Sequence, residues 1–490
     1  MNTLPEGWTL ATLGEMCTKP QYGWTSSATK SGKIRLLRTS DISNGLEDWD
    51  SVPFCQTPPA NLEKYRIAPN DILVSRAGSV GISHRVRRAP VDAVFASYLI
   101  RFKALKDVVL PQYLEFYLKS DSYWSFISES SVGIAVPNVN ATKLANLEIP
   151  LASVAEQRRI VAKLRQLLAR VEACQKRLAR IPVILKRFRQ SVLATACSGQ
   201  LTADWREQNP HTEPAFIQLD EARQSTTNEF PESWMSVGVG LVIDTLKYGT
   251  AQKCGYEKEG VSVLRIPNIA DGVIDHSDVK YALLPEREFE QLRLVPGDVL
   301  LIRSNGSVSL VGKSALIRKP EKGFAYAGYL IRLRPNRSRV LPEYLNLALS
   351  SYDVRLQIEI PARSTSGVHN INSEEVRGLR ISLPPLTEQS EIVRRVEALF
   401  KLADQIEGGY RKAQAHVDKL TQSILAKAFR GELVPTEAEL ARREGRDYEP
   451  ASVLLESIRT GRSNEAAAPP TARANRFQER RLSKGAGRRK

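Results

Sequence analysis

Arg66-Ile67-Ala68-Pro69-Asn70-Asp71-Ile72-Leu73 returns 227 residues later as Arg293-Leu294-Val295-Pro296-Gly297-Asp298-Val299-Leu300, and this recurrence decides the fold. Self-similarity at one offset means that a structural unit is used more than once. Working outward, Leu37-Arg38-Thr39-Ser40-Asp41-Ile42 matches Leu264-Arg265-Ile266-Pro267-Asn268-Ile269 at the same offset. Ala96–Arg101 matches Ala327–Arg332 at 231, because the second copy has a longer loop, Asn305–Gly312; Leu110–Leu114 and Leu341–Leu345 follow. Glu156-Gln157 matches Glu388-Gln389 at 232, as Gln190–Ala194 matches Gln422–Ala426. Residues 1–205 thus correspond to about 230–437, and chance does not set six ordered blocks at nearly one offset.

Within each copy the texture changes near Pro150 and Pro384. Before that point short apolar runs such as Asp71–Ser75 and Ser97–Phe102 alternate with Gly, Pro, Asn and Ser, the pattern of strands joined by loops. Short helices are expected at Gln112–Ser120 and Glu343–Ser350, and Tyr98 and Tyr329, inside strand-like runs, are expected in the core. After that point the period is helical. Ile160, Leu164, Leu167, Val171, Cys174, Leu178, Ile181, Leu185, Phe188 and Val192 step by four and three. So do Ile392, Val396, Leu399, Ala403, Ile406, Tyr410, Ala413, Val417, Leu420 and Ile424, in the same register. Each apolar seam therefore has a matching partner in the same chain, and the two helices are expected to pair as a coiled coil. Pro182 in one helix and Gly408-Gly409 in the other are expected to kink or fray them. Glu156 and Glu388 fall in first turns, where a carboxylate suits the helix N-terminus. The expected fold class is α+β with an internal duplication. Its segments are a β-rich domain at 1–151, a helix at 152–205, a linker at 206–229, a second β-rich domain at 230–383, a helix at 384–430, an extension at 431–460 and a disordered basic tail at 461–490.

The net charge of +16 on 490 residues points to a polyanionic partner, with DNA, RNA and acidic membranes all compatible. Part of the excess sits in the tail, where nine Lys and Arg residues from Arg462 to Lys490 face only Glu465 and Glu479. With 42% hydrophobic residues the chain can bury a core in each domain. No apolar run approaches the roughly 20 residues needed to span a bilayer, and Met1–Thr12 lacks a secretory pattern. Five scattered cysteines without a CxxC pair read as reduced thiols, so a cytoplasmic location is expected.

Leu-Arg-x-x-[Asp/Asn]-Ile, Arg-x-x-x-Pro-x-Asp-[Ile/Val]-Leu, a Gly-Ser-Val loop and Glu-Gln before a long helix occur twice in the same order. The helices end near Ser198–Trp205 and near Arg430-Gly431-Glu432-Leu433. In this the chain resembles the specificity subunits of type I restriction–modification systems over residues 1 to about 460. The resemblance implies two target-recognition domains, each reading half of a split double-stranded DNA site. It implies that the helices form an antiparallel coiled coil with a pseudo-twofold relation between the repeats. It also implies two adenine methyltransferase subunits and restriction/translocase subunits as partners. Those partners, and not this chain, would carry S-adenosylmethionine, ATP and Mg. The second copy departs in its longer loop and in lacking a counterpart to Trp205.

The residues show no catalytic constellation of their own. Gly306-x5-Gly312-Lys313-Ser314 has one residue too many for a phosphate loop, and its counterpart Gly78–Ser83 has no lysine. Gly238-x-Gly240 lacks the third glycine of a dinucleotide fingerprint, and no Asn-Pro-Pro-[Tyr/Phe] motif is present. A self-sufficient nuclease or methyltransferase is therefore disfavoured, while a coiled-coil scaffold or the specificity protein of another phage-defence assembly stays open. The candidate DNA contacts lie in loops where glycine admits close approach and Arg, Asn or Ser can bond base edges or phosphate. They are Arg38, Arg76, Ser79, His84, Asn138 and Asn140 in the first copy, and Arg265, Arg303, Asn305, Ser307, Asn370 and Asn372 in the second. Side chains shared by the copies favour scaffold or backbone contact, and those that differ favour base reading. Asparagine in such loops also commonly satisfies its own backbone.

Overall fold

The recurrent Pro-[Asn/Gly]-Asp step is a closed turn. In the computed structural model Asp71 accepts the Ala68 N–H at 3.0 Å and Asp298 accepts that of Val295 at 2.9 Å. Between proline and aspartate the backbone is left-handed, with φ of 72° at Asn70 and 100° at Gly297, which limits that position to residues such as Asn and Gly. Each turn feeds a wholly buried strand, Ile72–Ser75 or Val299–Ile302.

The structure describes residues 4–43, 48–131, 138–215, 230–269, 272–362 and 369–467. They fall into two compact units, residues 1–177 with 413–490, and residues 178–412. The division cuts across the duplication. Each unit takes a β-rich domain and the start of its helix from one repeat, and the end of the other repeat's helix.

In the first unit Gln21–Tyr22, Leu99–Phe102, Ile72–Ser75 and Ser83–Arg85 form an antiparallel sheet in that order. A second sheet runs Ala28–Thr29, Phe54–Cys55, Arg35–Leu37 and Ala93–Phe95, its last pair parallel. Thr9–Thr12 pairs with Glu148–Leu151, so both ends of the domain meet at the helix. The second unit repeats this plan. Ile243–Tyr248, Leu330–Pro335, Val299–Ile302 and Ser314–Leu316 form one sheet, and Lys280–Ala282, Val261–Leu264 and Ala325–Tyr326 another. Met235–Gly238 pairs with Arg380–Leu383. The expected short helices stand at Pro111–Tyr117 and Pro342–Leu349, each with proline in its first turn, where its missing N–H costs nothing. Each is followed by a second helix, Asp121–Ser131 or Tyr352–Ala362.

The Glu-Gln pairs do more than complement a helix dipole. Gln157 is fully buried and donates to the Val108 and Ala152 carbonyls at 2.9 Å each, while accepting the Leu110 N–H at 2.8 Å. Gln389 repeats this with Arg339, Pro384 and Leu341. Glu156 accepts the Trp8 indole N–H at 2.9 Å and the Glu437 backbone N–H at 2.9 Å. Burial pushes its carboxyl above the usual glutamate range, partly offset by those two bonds and by Arg159. Glu388 accepts the Trp234 indole N–H at 2.8 Å, the Thr202 hydroxyl at 2.7 Å and Arg206 at 2.5 Å. In each unit these side chains tie the domain to the start of its own helix, and the glutamates also reach the segment that follows the other repeat's helix, at Glu437 in the first unit and at Thr202 and Arg206 in the second.

The helices pair within each unit. In the first, Ile160, Val161 and Leu164 share a core with Leu425, Ala428 and Phe429, and the Phe429 ring meets Tyr113 and Tyr117 edge-on at 5.1 and 4.9 Å. In the second, Val192 and Ala196 pack with Ile392 and Val396. There Arg189 bonds Asp404 at 2.7 Å and Glu407 at 3.0 Å, while Arg395 bonds Asp204 at 2.6 Å. Rising numbers on one helix meet falling numbers on the other, so the pairing is antiparallel.

Of the expected seam, Ile160, Leu164, Val171, Ile392, Val396 and Val417 are buried, and Leu167, Leu178, Leu399 and Leu420 are half-buried. Ile406 is instead 47% exposed. The side bearing Ala403, Asp404 and Glu407 is turned to Arg189, and Ile406 lies roughly 100° round the helix from Glu407. The first helix breaks as expected, into Val154–Leu178 and Ile181–Cys197, with Pro182 in the first turn of the second piece. The other runs unbroken from Leu386 to Phe429 through Gly408-Gly409, contrary to expectation. Two glycines cost about 1 kcal/mol each, too little to stop a helix packed on either side of them, at Ile392, Val396 and Ala403 and at Val417, Leu425 and Ala428. A further helix, Ala451–Ala467, begins in the extension and passes the expected start of the tail at 461; residues 468–490 lie outside the described residues. No helix among the described residues is long and apolar enough to cross a membrane.

Candidate nucleic-acid interface

Beyond each central strand the chain leaves the sheet at an arginine whose backbone is bonded on both sides. Arg76 N–H donates to the Tyr98 carbonyl at 2.9 Å, and its carbonyl accepts the Val139 N–H at 3.0 Å. Arg303 does the same with Tyr329 and Ile371, at 2.9 Å each. The candidate loops after the central strands are thereby joined to the asparagine loops. Ala77 bridges to Asn138 in the first unit, and Ser304–Asn305 pairs with His369–Asn370 in the second.

A third segment completes the arrangement. The Arg76 guanidinium lies 4.9 Å from the centre of the Tyr22 ring, and that of Arg303 lies 4.5 Å from the Tyr248 ring. The Tyr22 hydroxyl accepts the Ala141 N–H at 3.0 Å, and Tyr248 accepts that of Ser373 at 2.8 Å. Gly23 and Gly249 follow the tyrosines; a β-carbon there would stand 2.2 Å from the Ala96 oxygen and 2.3 Å from the Tyr326 oxygen. Glycine is what lets the tyrosine strand come this close.

The tips differ between units. In the first, Gly78 and Gly81 have φ of 75° and 85°, Ser79 is exposed with its carbonyl accepting the Ser75 hydroxyl, and Tyr123 bonds the Gly81 carbonyl at 2.6 Å. In the second, Asn305 accepts the Ser307 N–H at 2.8 Å, the Ser307 and Ser309 hydroxyls lie 2.9 Å apart, and Arg355 holds the Ser309 carbonyl at 3.2 Å.

Several candidates are placed elsewhere than expected. His84 is 5% exposed on the Ser83–Arg85 strand, where it cannot reach a duplex. Asn140 and Asn372 are helix caps, accepting the Lys143 N–H at 2.8 Å and the Glu375 N–H at 2.9 Å, so their oxygens satisfy the chain's own backbone. Arg38 is bonded to Asp41 at 2.8 Å and Arg265 to Asp278 at 2.7 Å, which makes them loop braces. Asn370 accepts from Arg303 Nε at 3.2 Å and is exposed, whereas Asn138 is half-buried. The remainder of the loops Ser130–Asn140 and Ser364–Asn372, at 132–137 and 364–368, lies outside the described residues. Tyr98 and Tyr329, expected in the core, are 62% and 63% exposed. Both sit in the turn before their strands, which begin one residue later at Leu99 and Leu330. The only signal for Tyr22 and Tyr248 along the chain is the recurrence of Tyr-Gly at an offset of 226.

This doubled site sits on a chain whose residues 5–183 and 231–414 match the model of the type I restriction modification DNA specificity domain. The chain belongs to the type I restriction–modification specificity subunits. It is 33% identical over 479 residues to the type I restriction enzyme EcoKI specificity subunit of Escherichia coli K12, covering 94% of this chain and 96% of that one. It is 32% identical over 476 residues to the StySPI specificity subunit of Salmonella potsdam, with the same coverage. Among solved structures, the HsdS subunit from Thermoanaerobacter tengcongensis shares the fold at a TM-score of 0.57 and 20% identity, covering 88% of this chain and 98% of that chain. A chain from a structure described as the basis of complex assembly and conformational transition of the type I R-M system aligns at a TM-score of 0.64 and 20% identity, over 88% and 99%. As a specificity subunit the protein is the DNA-recognition component of its system, not a catalytic one, and needs no cofactor of its own.

Proposed function

We propose that this specificity subunit reads a bipartite DNA target, one half with residues 1–151 and the other with 230–383, separated by bases that neither domain contacts. The observation that carries this is the duplicated site, with Arg76 and Arg303 held alike and their flanking tips built differently. Ser79, Asn138, Asn305, Ser307 and Asn370 are the side chains assigned to the duplex beside the two arginines. The tip residues that differ, Ser79 against Asn305 and Ser307, read bases. The paired helices, at 152–205 and 384–430, set the separation of the halves and dock two adenine methyltransferase subunits; restriction/translocase subunits complete the assembly in the cytoplasm. S-adenosylmethionine, ATP and Mg belong to those partners. The extension at 431–460 supports the first unit, where Arg159 meets Glu437 at 2.7 Å.

The test is methylation-site sequencing in cells carrying this chain with its partner genes. A split motif with a modified adenine in each half is expected, and exchanging residues 1–151 for those of another specificity subunit should change one half alone. A contiguous motif, or a change in both halves, would refute the two-reader arrangement.

A further inference from the structure

The recurrent arginines differ in what surrounds them. Arg38 and Arg265 are bound to carboxylates, as described above. Arg101 and Arg332 are buried and closed to any ligand, Arg101 paired with Asp71 at 3.3 Å and Arg332 donating to the Arg293 carbonyl at 3.1 Å without an ion pair among the described residues. Arg76 and Arg303 form no ion pair among the described residues; a tyrosine ring covers one face of each guanidinium. In the first unit Arg76 Nε and Asn138 Oδ1 are enclosed without a hydrogen-bond partner among the described residues, whereas the equivalent atoms of Arg303 and Asn370 are bonded. A cation kept without a counter-charge, with one face on a ring and its terminal nitrogens without a hydrogen bond among the described residues, suits an anion that takes two parallel hydrogen bonds.

We infer that Arg76 on Tyr22 and Arg303 on Tyr248 are phosphate grips, one per domain, that hold the DNA backbone whatever the sequence, with the tyrosines as positioning residues. The inference rests on the reading that these domains meet a duplex, and says which part of the site is indifferent to bases. Both backbone bonds of the arginine, the ring beneath it, the hydroxyl tie of that ring to the following helix and the glycine behind it recur in both units. Groups held so alike call for the same ligand, and two half-sites of different sequence have only the sugar–phosphate backbone in common.

The experiment uses the chain assembled with its methyltransferase subunits. Binding to a cognate duplex and to a scrambled duplex of equal length is followed by fluorescence anisotropy across a salt series, and the methylated motif is sequenced in parallel. Arg303→Ala should weaken both duplexes by the same factor, on the order of tenfold, and lower the slope of log affinity against log salt by about 0.9, with the motif unchanged. Tyr248→Leu should weaken both duplexes alike, and Tyr248→Phe, which keeps the ring, should lose less. Should Arg303→Ala fail to assemble, Arg303→Lys decides: it keeps the charge without the planar fork, so both affinities should fall together with the salt slope retained. A relaxed base in one half-site, or a loss confined to the cognate duplex, overturns the grip; an unaltered Tyr248→Leu overturns the tyrosine's role. A contiguous wild-type motif would sink the two-reader proposal while leaving the uniform salt effect readable.

Discussion

Gln389→Leu tests whether the recurrent Glu-Gln step is a structural joint. Leucine preserves most of the buried volume but removes three hydrogen bonds: those to the Pro384 and Arg339 carbonyls at 2.9 and 3.2 Å, and that from the Leu341 N–H at 2.7 Å. Each such bond contributes about 0.5–1.5 kcal/mol net, and a buried N–H left without a partner costs about 1–3 kcal/mol more. The expected loss is therefore about 2.5–7.5 kcal/mol, a large share of the roughly 5–15 kcal/mol that holds a typical domain. The assay is pulse proteolysis of the full chain in graded urea with mass-spectrometric mapping, so that each unit reports its own midpoint. Residues 178–412 should open at lower urea while 1–177 change less, and Gln157→Leu should reverse the pattern. Gln389→Glu sharpens the test. The carboxylate still accepts from Leu341 but turns oxygen lone pairs on two carbonyls that need a donor, so it should do at least as much damage as leucine. A Gln389→Leu protein within about 1 kcal/mol of wild type, or a Gln389→Glu protein firmer than Gln389→Leu, would refute the reasoning.

Gly249→Ala places a β-carbon 2.3 and 2.4 Å from the Tyr326 and Ala327 oxygens and should cost about 1–3 kcal/mol in urea unfolding, whereas Gly306→Ala, with nothing within 4 Å, should stay within about 0.5 kcal/mol. Hydrogen bonds from Arg394, then Arg395, hold the Glu391 carboxyl down at about 2, against an ordinary value of 4.5. A depressed folded-state value means that the stabilisation is complete above about 4.5 and fades as pH falls toward about 2. Urea midpoints of wild type and Glu391→Gln should therefore converge across that interval, and a gap that widens on acidification would contradict the assignment.

Much of the site was legible because a duplication supplies its own comparison. The equivalence of Arg76 with Arg303, and of Asn138 with Asn370, follows from the offset, and those segments meet in each unit. What sequence could not give was direction and company. Tyr98 and Tyr329 lie within apolar runs yet face solvent, because the strand begins one residue after them. His84 looks like a loop residue after glycine and serine but is folded into a sheet. Asn140 and Asn372 read as loop donors and are spent on caps, an alternative that the sequence leaves open until the following helix is seen.

By itself the sequence determined the duplication, the change from strand to helix within each copy, and the break at Pro182, all of which depend on local spacing and on the stiffness of individual residues. The tertiary structure alone decided that each unit borrows the end of the other repeat's helix, and which recurrent arginines are neutralised. Spacing along a chain reveals which face a residue occupies, but not which distant carboxylate, carbonyl or ring will stand opposite it. An arginine braced by Asp41 and one stacked on Tyr22 read identically until the fold brings their partners together.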